Sequence, residues 1–251
     1  MTPTVALLHG FTGSPNSFRS VAAMLAERGV RVETPRLLGH GADDDADVHD
    51  FEGEVERLAR TLGVLTRPLH LVGYSLGGRV AIGLLCRHPE LLSGVTLVSA
   101  QPGLAAVAAR LDRRTADEVW CGLLETRGVP GFVDAWEKLP LFATQASLPA
   151  RVLAEQRAER LSHTCGGLVR SLRACGLAEM PSYWGELASV NVPTTLMVGA
   201  HDAKFVAIAG QMRERMRGAA LEVIPGVGHN VVLERPAAVA DVVSRAVMAG
   251  T

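Results

Sequence analysis

Ser75 lies in Gly73-Tyr74-Ser75-Leu76-Gly77, directly after the apolar run Leu69, Leu71 and Val72 and before the helix-compatible Gly78-Arg79-Val80-Ala81-Ile82. A serine between two glycines at a strand-to-helix junction sits on a sharp turn with its hydroxyl exposed. Gly73 and Gly77 let that turn close tightly, and Gly78 lets the helix start near the sheet. A serine hydroxyl is a weak nucleophile and a weak base at neutral pH, so chemistry at Ser75 calls for an imidazole to take its proton. His229, in Gly226-Val227-Gly228-His229-Asn230, follows a predicted strand and is the first candidate. Asp202 follows another predicted strand and the turn Gly199-Ala200-His201, which suits a carboxylate that orients the imidazole and stabilises its protonated form. Ser75, Asp202 and His229 occur in the chain order known for one class of serine, acid and histidine sites. His201 reads as a turn histidine, and Asp47, His40 and His49 are weaker rivals because they lie far from the late acid and base loops.

Developing negative charge on an oxygen needs a pair of donors. His9-Gly10-Phe11-Thr12-Gly13, directly after the first apolar run, can direct the Phe11 N–H toward the serine, and the Leu76 N–H can supply the second donor. The same loop also serves as a tight strand-to-helix connection, and the two uses are compatible.

The elements that must position these groups recur in a regular order. Short runs rich in Val, Leu and Ile predict strands at residues 5–8, 30–34, 69–72, 95–99, 195–198 and 221–224. Amphipathic spacing predicts helices at residues 18–27, 51–61, 80–86 and 205–216, and a last helix at 236–248 that begins at its proline. Strands alternating with helices imply an α/β fold with a mostly parallel central sheet. The segment of approximately 104–185 breaks the rhythm: it carries helical patterns interrupted by Gly128, Pro130, Pro140 and Pro149, and no strand pattern. It reads as a helical lid insertion within one domain spanning residues 1–251; the plainer alternative is a helical excursion that packs on the sheet and meets no ligand.

Composition bounds the function. The 251 residues suffice for one substantial core, and 48% hydrophobic with 20% charged residues describes a compact chain rather than a disordered one. A formal net charge of −1, from 25 Lys plus Arg against 26 Asp plus Glu, supplies no basic field for nucleic acid. The first residues lack a basic region followed by a long apolar stretch, so no signal peptide is expected. No apolar run reaches the roughly 18 residues of a membrane helix, so no stable membrane insertion is expected. Cys86, Cys121, Cys165 and Cys175 form no close pair, which favours free thiols in a cytoplasmic protein over disulfides or a structural zinc. Asp43-Asp44-Asp45 with Asp47 reads as a solvated acidic loop, and neither a P-loop nor a dinucleotide fingerprint is present.

His9-Gly10 with Ser75, Asp202 and His229 resembles the α/β-hydrolase superfamily along almost the whole chain. The superfamily leaves the reaction open among esterases, C–C hydrolases, thioesterases and some lyases. A narrower resemblance is to the synthases of 2-succinyl-6-hydroxy-2,4-cyclohexadiene-1-carboxylate in menaquinone synthesis. It rests on His9 to Ser14, Gly73 to Arg79, Ser99-Ala100-Gln101-Pro102-Gly103-Leu104, Trp136 before Pro140-Leu141-Phe142, Gly199 to Phe205, and Gly228-His229-Asn230. That resemblance implies a lyase removing pyruvate by 2,5-elimination from a small polycarboxylate, with no metal, flavin or nicotinamide. It further implies that Arg79, Arg160 and Arg114 bind carboxylates, with Arg113 exchanging for Arg114 on a shift of one residue. Lys204, Tyr74 and Trp136 are additional pocket candidates, although Lys204 could pair with a nearby acid and the two aromatics could be core. Serine-dependent carboxylesterase or C–C bond hydrolase chemistry is the alternative. The oligomeric state, monomer or small homo-oligomer, is open.

Overall fold

The computed structural model describes residues 2–41 and 47–249; Asp43, Asp44 and Asp45 of the acidic run lie outside them. Six strands, β1 (Thr4–Leu8), β2 (Arg31–Glu33), β3 (Leu69–Tyr74), β4 (Gly94–Val98), β5 (Thr194–Gly199) and β6 (Ala220–Ile224), pair in parallel in the order β2-β1-β3-β4-β5-β6. The helices are α1 (Arg19–Glu27), α2 (Phe51–Gly63), α3 (Leu76–Arg87), α4 (Val107–Trp136), α5 (Ala150–Leu161), α6 (Cys165–Cys175), α7 (Ala203–Arg215), α8 (Val231–Glu234) and α9 (Pro236–Ala249).

The apolar runs of the central strands follow from burial on both faces, the usual state of a parallel sheet. Successive side chains point to opposite sides. Val5, Leu7, Val72, Tyr74, Val98 and Met197 join one core with Val21 and Leu25 of α1 and Val239, Ala240 and Val243 of α9. Ala6, Leu8, Leu69, Leu71, Leu97, Leu196 and Val198 join the other, with Val55 and Leu58 of α2, Val80 and Leu84 of α3, and Phe205 and Met212 of α7. The edge strands β2 and β6 are only partly buried, and β2, at Arg31–Glu33, is shorter than the 30–34 predicted.

The chain leaves β1 for β2 on one side, whereas β3 leads to β4 on the other. Neighbouring strands that diverge in this way open a crevice at their carboxyl ends, where open α/β sheets bind ligands. His9–Gly13 leaves β1 at that crevice and Ser75 leaves β3 at it. α3 begins at Leu76 rather than at residue 80, so the helix starts immediately after the serine.

Between β4 and β5 lie α4, α5, α6 and a 3-10 segment, Pro140–Ser147. α4 is broken at Gly128, whose φ of 65° and ψ of −179° suit glycine alone, and Pro130 opens its second part. Cys121, Leu124, Phe132, Val133, Leu168 and Leu172 form a separate small core here, with Phe11, Trp120 and Trp136 packed against it. No helix among the described residues is long and apolar enough to cross a membrane.

Burial favours the neutral form of His9, His40 and His70. His9, beside the crevice, and His70, bonded through Nε2 to Thr96 Oγ1 at 2.9 Å, have their pKa lowered from 6.5 to about 4 by burial, and burial puts His40 well below 6.5. The unfolded chain therefore takes up protons first as pH falls from 6.5 toward 4, and stability drops across that window. Urea unfolding at about pH 7.5 and about pH 5 should show a loss of roughly 2 kcal/mol for each of His9 and His70; a flat profile would contradict neutral burial. Packing gives a second expectation. A Cβ on Gly77 would strike the Leu8 and His9 carbonyls, so Gly77→Ala should lower stability by about 1–3 kcal/mol, read from the urea midpoint.

Candidate active site

Ser75 occupies the turn between β3 and α3 with φ 51° and ψ −107°, a strained conformation for a residue with a Cβ. Its backbone is pinned on both sides: Ser75 N–H donates to Val98 C=O at 3.0 Å, and Ser75 C=O accepts from Arg79 N–H at 2.9 Å. The pentapeptide glycines serve close approach, since a Cβ on Gly73 would meet the Gly77 carbonyl.

His229 reaches this turn from the loop after β6. Its Nε2 lies 3.1 Å from Ser75 Oγ, and its Nδ1 lies 2.7 Å from Asp202 Oδ2. A carboxylate only accepts, so Nδ1 carries the proton and Nε2 is left to accept from the serine hydroxyl. Asp202 caps α7, Oδ1 accepting from Phe205 N–H at 3.4 Å, while its other oxygen holds the imidazole. Both side chains are buried. The histidine loop has two further ties. Ser99 Oγ donates to His229 C=O at 2.8 Å, and Glu234 Oε2 accepts from Gly228 N–H at 3.0 Å. Ser99, with φ 48°, turns out of β4 to make its bond. The Ser99 tie spans 130 positions, and no local pattern announces it.

The expected donor pair, Phe11 N–H and Leu76 N–H, lies on two elements that are tied together. Gly77 N–H donates to His9 C=O at 3.0 Å and joins the β1 loop to the first turn of α3. Among the described residues, neither Phe11 N–H nor Leu76 N–H donates to a backbone carbonyl. His9 holds the base of the loop, with Nδ1–H donating to Gly10 C=O at 2.9 Å and Nε2 accepting from Leu37 N–H at 3.2 Å.

A cavity of about 320 Å³ lies over Ser75, closed by α4, α5, α6 and the 3-10 segment. Arg79, one helical turn after the serine, donates from Nη1 to Cys175 C=O at 2.7 Å; burial first, and then the neighbouring Arg113, lower its pKa to about 10. Arg160 is buried, donates to Glu137 at 3.0 Å and stands 5.1 Å over the Phe142 ring. Lys204 lies at the exposed rim, 5.7 Å from the Phe205 ring. Tyr74 lines the floor, its ring 5.6 Å from His229, and burial raises its hydroxyl pKa. Trp136 lines a wall, stacked on Phe132 at 5.4 Å, with its buried Nε1 unpartnered.

Arg114 is placed elsewhere. It is exposed and makes a two-pronged pair with Glu179 at 2.7 and 2.9 Å. Arg113 lines the cavity in its stead, donating to Asp117 Oδ1 at 2.9 Å. Helix phase explains the exchange. Arg113, Asp117, Cys121 and Leu124 share one stripe of α4 at steps of four, four and three, and the last three are buried; Arg114 lies about 100° around the axis. Asp117, whose Oδ2 has no partner and whose pKa burial raises, was not anticipated, although its place on that stripe marks it.

The rival residues make their bonds away from the serine. His49 pairs with Asp47 at 2.9 Å on the surface, and His40 Nδ1–H donates to Leu38 C=O at 2.8 Å. His201 is exposed in its turn.

Comparison with known proteins agrees with this geometry. The alpha/beta hydrolase family model matches residues 5–242. The 2-succinyl-6-hydroxy-2,4-cyclohexadiene-1-carboxylate synthase of Enterobacter sp. (strain 638) is 32% identical over 240 residues, 95% of this chain and 89% of that protein. The structure of MenH from S. aureus superimposes with a TM-score of 0.94 at 30% identity, covering 100% of this chain and 95% of that one. An esterase from Thermogutta terrifontis, solved with malate bound, reaches a TM-score of 0.84 at 24% identity over 100% and 91% of the two chains, a likeness of fold alone. With a match running from β1 into α9 and relatives alike along nearly all of both chains, this chain belongs to the alpha/beta hydrolase family and, within it, to the 2-succinyl-6-hydroxy-2,4-cyclohexadiene-1-carboxylate synthases.

Proposed function

We propose that the chain is a carbon–oxygen lyase that eliminates pyruvate from 2-succinyl-5-enolpyruvoyl-6-hydroxy-3-cyclohexene-1-carboxylate, giving 2-succinyl-6-hydroxy-2,4-cyclohexadiene-1-carboxylate. The observation that carries the reading is the cavity itself, in which Ser75, bonded to His229, lies beneath Arg79, Arg113 and Arg160. Guanidinium forks match carboxylates in shape and charge. Three of them around an apolar wall suit a substrate with three carboxylates. Lys204 at the rim adds attraction for an approaching anion.

In this reading Ser75 Oγ removes a ring proton while its own proton passes to His229 Nε2, and Asp202 stabilises the resulting imidazolium. The electrons of the broken C–H bond spread toward the succinyl carbonyl, whose oxygen takes up negative charge opposite the Phe11 and Leu76 N–H groups. Their return through the ring breaks the C–O bond, and the enolpyruvate that departs with that electron pair becomes pyruvate on protonation. The segment between β4 and β5 acts as a lid over this chemistry and keeps water from it. A cytoplasmic setting is supported by the four free cysteines.

Pyruvate release from freshly prepared substrate, corrected for spontaneous breakdown, tests the assignment. Ser75→Ala should lower kcat by about 10³-fold or more, the scale of a lost general base. A wild-type rate equal to the uncatalysed one, with turnover of simple esters, would replace the lyase by a hydrolase. The two adjacent arginines should separate cleanly. Loss of a charge-assisted hydrogen bond in Arg113→Ala should raise KM by roughly 10- to 100-fold. Arg114→Ala, which removes a surface pair, should leave KM within about twofold.

A further inference from the structure

The turn that carries the Phe11 N–H is held in a conformation that its own sequence resists. Gly13 N–H donates to Gly10 C=O at 3.0 Å, closing a four-residue turn with Phe11 and Thr12 at its centre. Thr12 has φ 64°. A left-handed residue in that third place is ordinarily glycine or asparagine, and a β-branched side chain there is an outlier. Something outside the turn must hold it.

Two imidazoles do so. Thr12 N–H donates to His40 Nε2 at 3.1 Å, and Thr12 C=O accepts from His163 Nε2 at 3.1 Å. The two rings meet edge to face at 5.3 Å. His40 belongs to the body of the fold, in the segment between β2 and α2. His163 belongs to the lid, between α5 and α6. One helical turn earlier, Glu159 of α5 grips the other end of the same loop: its Oε1 accepts from Ser14 Oγ at 2.5 Å and from Ser17 Oγ at 2.9 Å. Between these grips, Phe11 packs edge-on against the lid rings Phe132 at 6.1 Å and Trp136 at 5.4 Å. Glu159 also lines the cavity, where a carboxylate opposes an anionic ligand, yet its hydrogen bonds run to the loop. Its role is therefore toward the loop.

We propose that Glu159 and His163 are positioning residues through which the docked lid sets the Phe11 N–H. The inference rests on the oxyanion role assigned to Phe11 above. A donor aimed in advance at developing charge needs no reorganisation during reaction, and it loses that advantage when its backbone relaxes. Arg113 and Arg160, assigned to the substrate in the proposed reaction, stand on the same lid insertion as Glu159 and His163. Substrate that secures the lid thereby completes the donor pair.

Phenylboronic acid tests this without the lyase substrate. Its boron accepts a lone pair from Ser75 Oγ as the seryl proton passes to His229, leaving a tetrahedral adduct with an oxygen in the oxyanion position. Its Kd, together with kcat and KM for pyruvate release, is measured for the wild type, Glu159→Ala, His163→Ala and Glu159→Gln of the full chain. Both alanine variants should bind the boronate about 10-fold or more weakly and lose a similar factor in kcat with KM within about threefold, whereas Glu159→Gln, whose amide oxygen still accepts, should stay within about threefold throughout. Boronate affinity unchanged in alanine variants that keep the wild-type melting transition would overturn the proposal, as would Glu159→Gln failing as badly as Glu159→Ala. If His163→Ala does not fold, Ser14→Ala/Ser17→Ala removes the Glu159 grip from the body side and is judged by the same two outcomes. Failure of the wild type to release pyruvate would strike the lyase assignment alone, because the boronate comparison does not depend on it.

Discussion

Two backbones passing in contact determine where everything else can stand. The carbonyls of Leu8 and His9 at the end of β1 lie against the α carbon of Gly77, and the Gly77 N–H closes the contact with a 3.0 Å bond to His9. Ser75 is two residues before Gly77 and Phe11 is two after His9, so one close approach fixes the serine and the Phe11 N–H together. The absence of a side chain at residue 77 is the condition for it. From this joint outward the chain adds separate ties. Ser99 and Glu234 hold the loop of His229, and Asp202 holds its ring. A hydroxyl and an imidazole 154 positions apart thus meet at 3.1 Å.

Burial alone does not decide what a histidine does here. His9, His40 and His70 are as enclosed as His229, but their ring nitrogens meet backbone groups or a threonine hydroxyl, and burial favours their neutral form. Among the described residues His229 is the buried imidazole whose ring nitrogen is bonded to a carboxylate. A positive charge that arises on it during proton transfer is compensated at 2.7 Å, whereas the same charge on His9 would be stranded beside backbone dipoles. The fold therefore assigns structural and chemical histidines by the partner supplied, not by depth.

The parts of the site legible in the sequence are those that local rules govern. Ser75, Asp202 and His229 each follow an apolar run, and a parallel sheet brings the carboxyl ends of such runs to one edge. The arginines of α4 were legible only to within one residue, because a helix turns about 100° between neighbours and Arg113 and Arg114 face different surroundings. The stripe through Asp117, Cys121 and Leu124 resolves the choice once the apolar residues are used as the reference. The grips on the turn from Gly10 to Gly13 had no such signal. Glu159 and Ser14 are 145 positions apart, on an insertion and a loop, and nothing in either segment specifies the other. The start of α3 at Leu76 shifted for a related reason: the serine turn, rather than apolar spacing, sets it.

What distinguishes elimination from acyl transfer in such a site is the atom presented to Ser75 Oγ. The triad and donors would serve either reaction, since a hydroxyl relieved of its proton can attack carbon or remove a hydrogen. Arg79 lies in the first turn of α3, and its N–H bond to Ser75 C=O ties that turn to the serine. Arg113 and Arg160 reach the cavity from α4 and α5, Arg113 close enough to Arg79 to lower its pKa. In the proposed reaction, carboxylates held by cations from three helices would leave a cyclic substrate little freedom to rotate and would present its ring edge rather than a carboxyl carbon to the hydroxyl. In the proposed reaction the choice of chemistry thus rests with the cations that line the cavity rather than with the triad.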